Sequence, residues 1–246
     1  MEYLYMAKVL IVVFSAALVQ SIVGFGYALL AAPLLTLIMG PKEMVVFLLF
    51  SGLYLRFYMF YRVHKEVVMA DIKYLILGNI LGIIPGIYIL KVINVPMFKL
   101  FIGVVLLISV LLINFQFKWK SKSLTFDGLL FGFFSGFLGS STSVSGPPIV
   151  LYMLNTFEDK AKIRTTMITF FTFGTIITLL GLFIAGTFKP SAALGLPIYS
   201  IPFVMLAAKI GERIFYHMNQ KVFRRLVILL ILISSLALLY GGYRGL

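Results

Sequence analysis

The chain of 246 residues contains no cysteine, one tryptophan and two histidines. Disulfides and thiolate metal sites are therefore excluded, and no redox compartment is inferred. Charge is scarce too: 12% of residues are Asp, Glu, Lys or Arg, about half the usual share of a soluble domain. Only eight side chains are acidic. All of them, Glu2, Glu43, Glu66, Asp71, Asp127, Glu158, Asp159 and Glu212, fall near predicted helix ends or in connections. Pumps and cation carriers usually need carboxylates inside the membrane, so a cation substrate is disfavoured. There is no HExxH or other metal-ligand cluster. His64 and His217 lie in connections rather than at the depth of the serines, which disfavours an embedded serine hydrolase.

What the chain does have is apolar length. Hydrophobic residues make up 61%, and mean hydropathy is +1.08. Uncharged runs cover 9–41, 74–90, 100–117, 128–157, 165–188, 190–208 and 226–243. Runs of roughly 18 or more such residues read as membrane spans. The pattern excludes a soluble enzyme, a nucleic-acid-binding domain and a secreted scaffold. The net charge of +13 is then ascribed to basic cytoplasmic loops. The first apolar run lacks a basic start and exceeds signal-peptide length, so the first helix is expected to be retained.

Two similar halves follow each other. Residues 20–33 read QSIVGFGYALLAAP and residues 135–148 read SGFLGSSTSVSGPP, with Gly24 opposite Gly139 and Pro33 opposite Pro148. Glu43 and Glu158 continue the same register. Gly86 later meets Gly211, and MFKL at 97–100 meets VFRR at 222–225. The expected domains are repeat 1 at 1–115, a linker at 116–123 and repeat 2 at 124–246. Each repeat is expected to hold five helical segments: 4–19, 26–39, 44–61, 72–91 and 97–114, then 125–138, 143–156, 164–185, 191–210 and 221–241. The first two segments of each half are read as short. About 14 residues span about 21 Å against a hydrocarbon core of about 30 Å. Each such pair is read as a hairpin whose tip lies near the bilayer midplane.

Loop charge sets the orientation. If each hairpin returns to its side of entry, or spans fully, one face collects 15 of the 21 Lys and Arg residues. The other collects Lys8, Lys42, Lys91, Lys99, Lys189 and Arg244. One broken span per hairpin would divide them almost evenly. The positive-inside rule favours the first case, with both termini outside. An odd number of crossings per half then makes the halves inverted-topology repeats. The expected fold is an all-α polytopic membrane protein of 8–10 crossings, a plan that many secondary transporters use for alternating access.

Two tips entering from opposite faces would bring two helix N-termini together, with unpaired amides and partial positive charge suited to an anion. Gln20, Gly24, Phe25 and Gly26 are the candidate binding residues of the first tip. Ser135, Gly139, Ser140, Ser141, Thr142, Ser145 and Gly146 are those of the second. Close packing and helix capping explain some of these residues. Five hydroxyls in the six positions 140–145 exceed what one cap needs. Thr165, Thr169, Thr172 and Thr175 share an arc of about 120°. The equivalent segment of the first half offers Ser51, Tyr54 and Tyr58. These residues either bond neighbouring helices or line a permeation path. Arg56, the deepest basic residue, either snorkels to the cytoplasmic surface or attracts anions into a vestibule.

The two tips with their prolines, LGIIPGIYIL around Gly82–Gly86 and AAKIGERI at 207–214 together resemble the TauE/SafE family of membrane permeases. The order of these motifs over nearly the whole chain carries the resemblance. Relatives often show a glycine cluster in each tip, whereas this chain has GFG and GSS. The resemblance implies transport of small sulfur anions, such as sulfite and C2 sulfonates like sulfoacetate, mostly outward across the cytoplasmic membrane. A gated anion channel, or a carrier or uptake system for a non-sulfur organic anion, is the alternative. The expected partners are a small anionic substrate and the lipid bilayer, with a homodimer as the oligomeric alternative. No cofactor, metal or nucleic acid is expected.

Overall fold

The computed structural model describes residues 2–67, 69–114, 123–157, 159–188, 195–215 and 220–244. Most of the linker, Glu158, Lys189 and His217 lie outside them. Among the described residues there are ten α-helices and no strand. The first five are α1 (Glu2–Val23), α2 (Tyr27–Leu35), α3 (Pro41–Val63), α4 (Lys73–Val92) and α5 (Val95–Asn114). They are followed by α6 (Leu124–Thr142), α7 (Gly146–Thr156), α8 (Lys160–Ile184), α9 (Leu196–Phe215) and α10 (Gln220–Tyr243). Four stretches, Leu4–Ile22, Pro41–Val63, Lys73–Val92 and Lys162–Ile184, are long and apolar enough to cross a membrane.

The hairpins correct one expectation. Their first arms are not short: α1 has 22 residues and α6 has 19, or about 33 and 28 Å. Only the returning arms are, with nine residues in α2 and 11 in α7. Ser140, Ser141 and Thr142 at the second tip continue α6, each bonding back one turn. The breaks fall later. Gly24 and Gly26 adopt φ of 90° and 107° after α1, and Ser143 adopts φ of 67° after α6. Pro147 and Pro148 then open α7, where their fixed φ suits the first turn.

Both short arms lie inside the protein. Seven of the nine α2 residues are buried, and so are residues 146–153 of α7. Around them, α4 packs most extensively on α6, α9 on α1, α5 on α10 and α3 on α8. Exchanging α1–α5 with α6–α10 in order maps these pairings onto themselves.

The α4–α6 contact is made by glycine. Gly78, Gly82 and Gly86 of α4 lie against the backbone of Leu129, Phe133 and Phe137, and a Cβ at any of them would overlap a carbonyl oxygen. Gly132 and Gly136 of α6 meet the carbonyls of Leu75 and Asn79 in the same way. Lipid supplies no hydrophobic drive between helices, so such close backbone approach is a main source of association energy. The opposite stripe of α4, Leu77, Leu81, Ile84 and Tyr88, is exposed and forms an apolar outer face.

Gly82→Ala is expected to cost at least about 3 kcal/mol, the upper range for overpacking, and to lower the apparent melting temperature by roughly 6–12 °C. Gly40→Ala serves as the control, since nothing lies within 4 Å of its Cβ position. Thermal scans of both variants in detergent check this.

Candidate functional site

The two tips touch. A Cβ at Gly146 would lie 3.3 Å from the Phe25 ring and 4.0 Å from Leu29. Between the tips is a small, partly open cavity. Gln20 and residues 25–29 line it from the first tip and residues 143–146 from the second, with Arg56 of α3 and Phe171 of α8 closing it.

Arg56 lies seven residues before the end of α3, about 10 Å from it, and turns inward. Room for it comes from Gly52, one turn earlier, where a Cβ would sit 2.6 Å from Nη1. Arg56 is 5% exposed, and its Nε and Nη1 are buried without a hydrogen-bond partner among the described residues. The Tyr27 ring lies alongside Gly52 and is held in place because its hydroxyl donates to Ser51 Oγ at 2.7 Å. Ser51 in turn donates to the Phe47 carbonyl at 2.7 Å.

Ser143 supplies the second unpaired group. Its Oγ is buried and has no partner among the described residues. The strained left-handed backbone at this residue places it on the cavity wall. Its neighbours in the hydroxyl cluster behave differently. Ser140 donates to the Gly136 carbonyl at 2.8 Å, Ser141 to Phe137 at 2.6 Å and Thr142 to Leu138 at 2.7 Å. Their single protons are thereby used within α6, and none of the three lines the cavity. Ser135 donates to the Ser145 carbonyl at 2.8 Å and so ties the tip to α6. Gly139 admits Ser145, whose Cβ would be 3.1 Å from a Cβ at that glycine.

The two helix N-termini are not equivalent. The first turn of α2 leaves the amides of Tyr27, Ala28 and Leu29 without intrahelical partners, and all three residues line the cavity. In the first turn of α7, Pro147 and Pro148 have no N–H to offer. The positive character of the site therefore comes mainly from α2 and Arg56.

The remaining candidates lie off the cavity wall. Thr169 donates to the Thr165 carbonyl at 2.8 Å. Thr172 donates to the Ile168 carbonyl at 2.7 Å and also approaches the Arg56 carbonyl at 3.4 Å. The first two bonds lie within α8, and only the last joins it to α3 beside the site. Tyr54 is half-buried on α3. Gly24 borders Arg164, whose Nη2 donates to the Ser21 carbonyl at 3.3 Å. Phe171 had no signal in the sequence beyond apolarity. Ser143 was one hydroxyl in a cluster, and no local pattern sets it apart. The turning of Arg56 did have a signal, the glycine four residues before it.

Apolar helices, four of them long and apolar enough to cross a membrane, enclose a cationic, hydroxyl-bearing cavity. The model of the sulfite exporter TauE/SafE family matches residues 9–238, and the chain belongs to that family. No curated protein and no solved structure matches it.

Replacing Arg56 removes a buried charge that has no ion-pair partner among the described residues, and burying such a charge is costly. Arg56→Met is expected to stabilise the ligand-free protein by at least about 1 kcal/mol and to raise its apparent melting temperature by roughly 2–4 °C. A fall in melting temperature would instead give Arg56 a structural role.

Proposed function

We propose that the protein is a secondary transporter of the cytoplasmic membrane that moves a small anion outward by alternating access around the cavity between the tips. The substrate is sulfite or a C2 organosulfonate such as sulfoacetate. The observation that carries this reading is the unpaired guanidinium of Arg56 in a cavity where two chain reversals meet. A buried charge without a partner is costly, and an oxyanion between Arg56, Ser143 and the first amides of α2 would offset that cost with charge-assisted hydrogen bonds. Gln20 and Ser145 complete the polar wall, and Phe25 and Phe171 face the substrate's apolar part.

Membership of a sulfite exporter family supports the sulfur anion. The self-mapping helix pairings support two inverted repeats, and the 15 to 6 division of basic residues supports termini on the outside. Outward movement of an anion is favoured by an inside-negative potential, at about 2.3 kcal/mol per charge per 100 mV.

Thermal stabilisation of the purified protein by a panel of anions tests the reading, because a ligand of the folded state raises its apparent stability by mass action. The panel holds sulfite, sulfate, sulfoacetate, isethionate, taurine, acetate and a dicarboxylate. Sulfite or a sulfonate is expected to stabilise the wild type selectively, and Arg56→Met is expected to abolish the effect. Stabilisation by a carboxylate alone would retain an anion carrier and discard the sulfur assignment. Flux in liposomes that neither saturates nor shows counterflow would replace the carrier with a pore.

A further inference from the structure

We propose that this transporter exchanges one singly charged oxyanion for another far faster than it releases an anion and returns empty. The inference rests on the cavity between the tips being the transport site, and it concerns what Arg56 does when that site is empty. An arginine stays protonated at any physiological pH. Its Nε and Nη1 have no partner among the described residues, and Arg56 forms no ion pair with a described carboxylate. The α9 carboxylate of Glu212, which packs against α3, is engaged by Arg62 and by the Tyr58 hydroxyl, both at 3.4 Å. The empty site therefore carries one positive charge. With a monoanion bound, it carries none.

Alternating access requires an intermediate closed to both sides, from which bulk water is excluded. When the site is loaded with a monoanion, that intermediate encloses a hydrogen-bonded pair. When the site is empty, it encloses a lone guanidinium beside Phe25 and Phe171, and desolvation of an unpaired charge opposes its formation. The two rates are set apart by this difference, so an anion on the far side accelerates release on the near side. A dianion, a doubly charged sulfonate such as sulfoacetate included, would leave net negative charge in the closed state and is a slower exchange partner than a monoanion such as bisulfite or isethionate.

Membrane potential acts on the same asymmetry. The loaded step moves no net charge at the site and is insensitive to voltage. The empty return moves a positive charge inward, and an inside-negative potential assists it. A resting potential thus drives net export through the return step.

The test uses the intact protein in liposomes loaded with radiolabelled sulfite. Mildly acidic buffer keeps the singly charged bisulfite predominant, and the potential is clamped at zero. Unlabelled sulfite outside is expected to speed efflux about tenfold or more over an exterior holding only a bulky impermeant anion, a barrier difference of about 1.4 kcal/mol. Sulfate outside is expected to have no such effect. An inside-negative potential should raise efflux into the impermeant anion toward the exchange rate, while the exchange rate itself changes less than about twofold. Saturable efflux that is indifferent to the external anion would overturn the exchange mechanism and leave the carrier standing. Efflux that does not saturate and is unaffected by Arg56→Met would remove both this inference and the site it depends on.

Discussion

Glycines on α4 and α6 let two helix backbones touch, and the position of the second tip follows from that contact. The run Gly78, Gly82, Gly86 ends against Phe137 and Ser140, one turn from the reversal at Ser143. Ser140 lies 3.2 Å from the Ile83 carbonyl across the same seam. The corresponding contact in the other half is sparser. Gly211 of α9 is its close approach, beneath the Leu18 carbonyl and Ser21 of α1. One tip is thus seated on a rigid pair of helices, and the other is held by a lighter contact and by Arg164.

The membrane imposes a strict economy on polar groups, since an unsatisfied donor costs several kcal/mol in hydrocarbon. Most buried hydroxyls here meet the demand locally, by donating to a carbonyl one turn back. Ser51, Ser141, Thr142, Thr169 and Thr178 all do so. A few buried polar atoms lack a partner among the described residues, and those of Arg56 and Ser143 belong to residues that line one cavity. Their cost in the folded protein is of the kind that active and binding sites retain.

Much of this arrangement was readable from residue order. The ten helices lie close to the expected segments, because an apolar run bounded by charge leaves few alternatives in a bilayer. The two tips were visible as Gly-Phe-Gly and as a serine-rich run before a proline pair. Arg56 was visible as the deepest cation. Less was readable at finer scale. The long arms α1 and α6 continued past their expected ends, and the glycines of α4 and α6, four residues apart, faced each other as a seam.

Composition and spacing alone dictate a helical membrane protein with two broken segments of similar sequence, because apolar length and chain-breaking residues act locally. Which groups stay free is a matter of tertiary contact. A serine gives its one proton to whichever acceptor is nearest, and at 140–142 that acceptor was the helix itself. Arg56 faces inward because Gly52 leaves space beside Tyr27, and its charge remains unpaired because no described carboxylate comes within ion-pair reach. Such outcomes depend on which side chains and carbonyls the packing brings within reach, so the packed fold alone decides them.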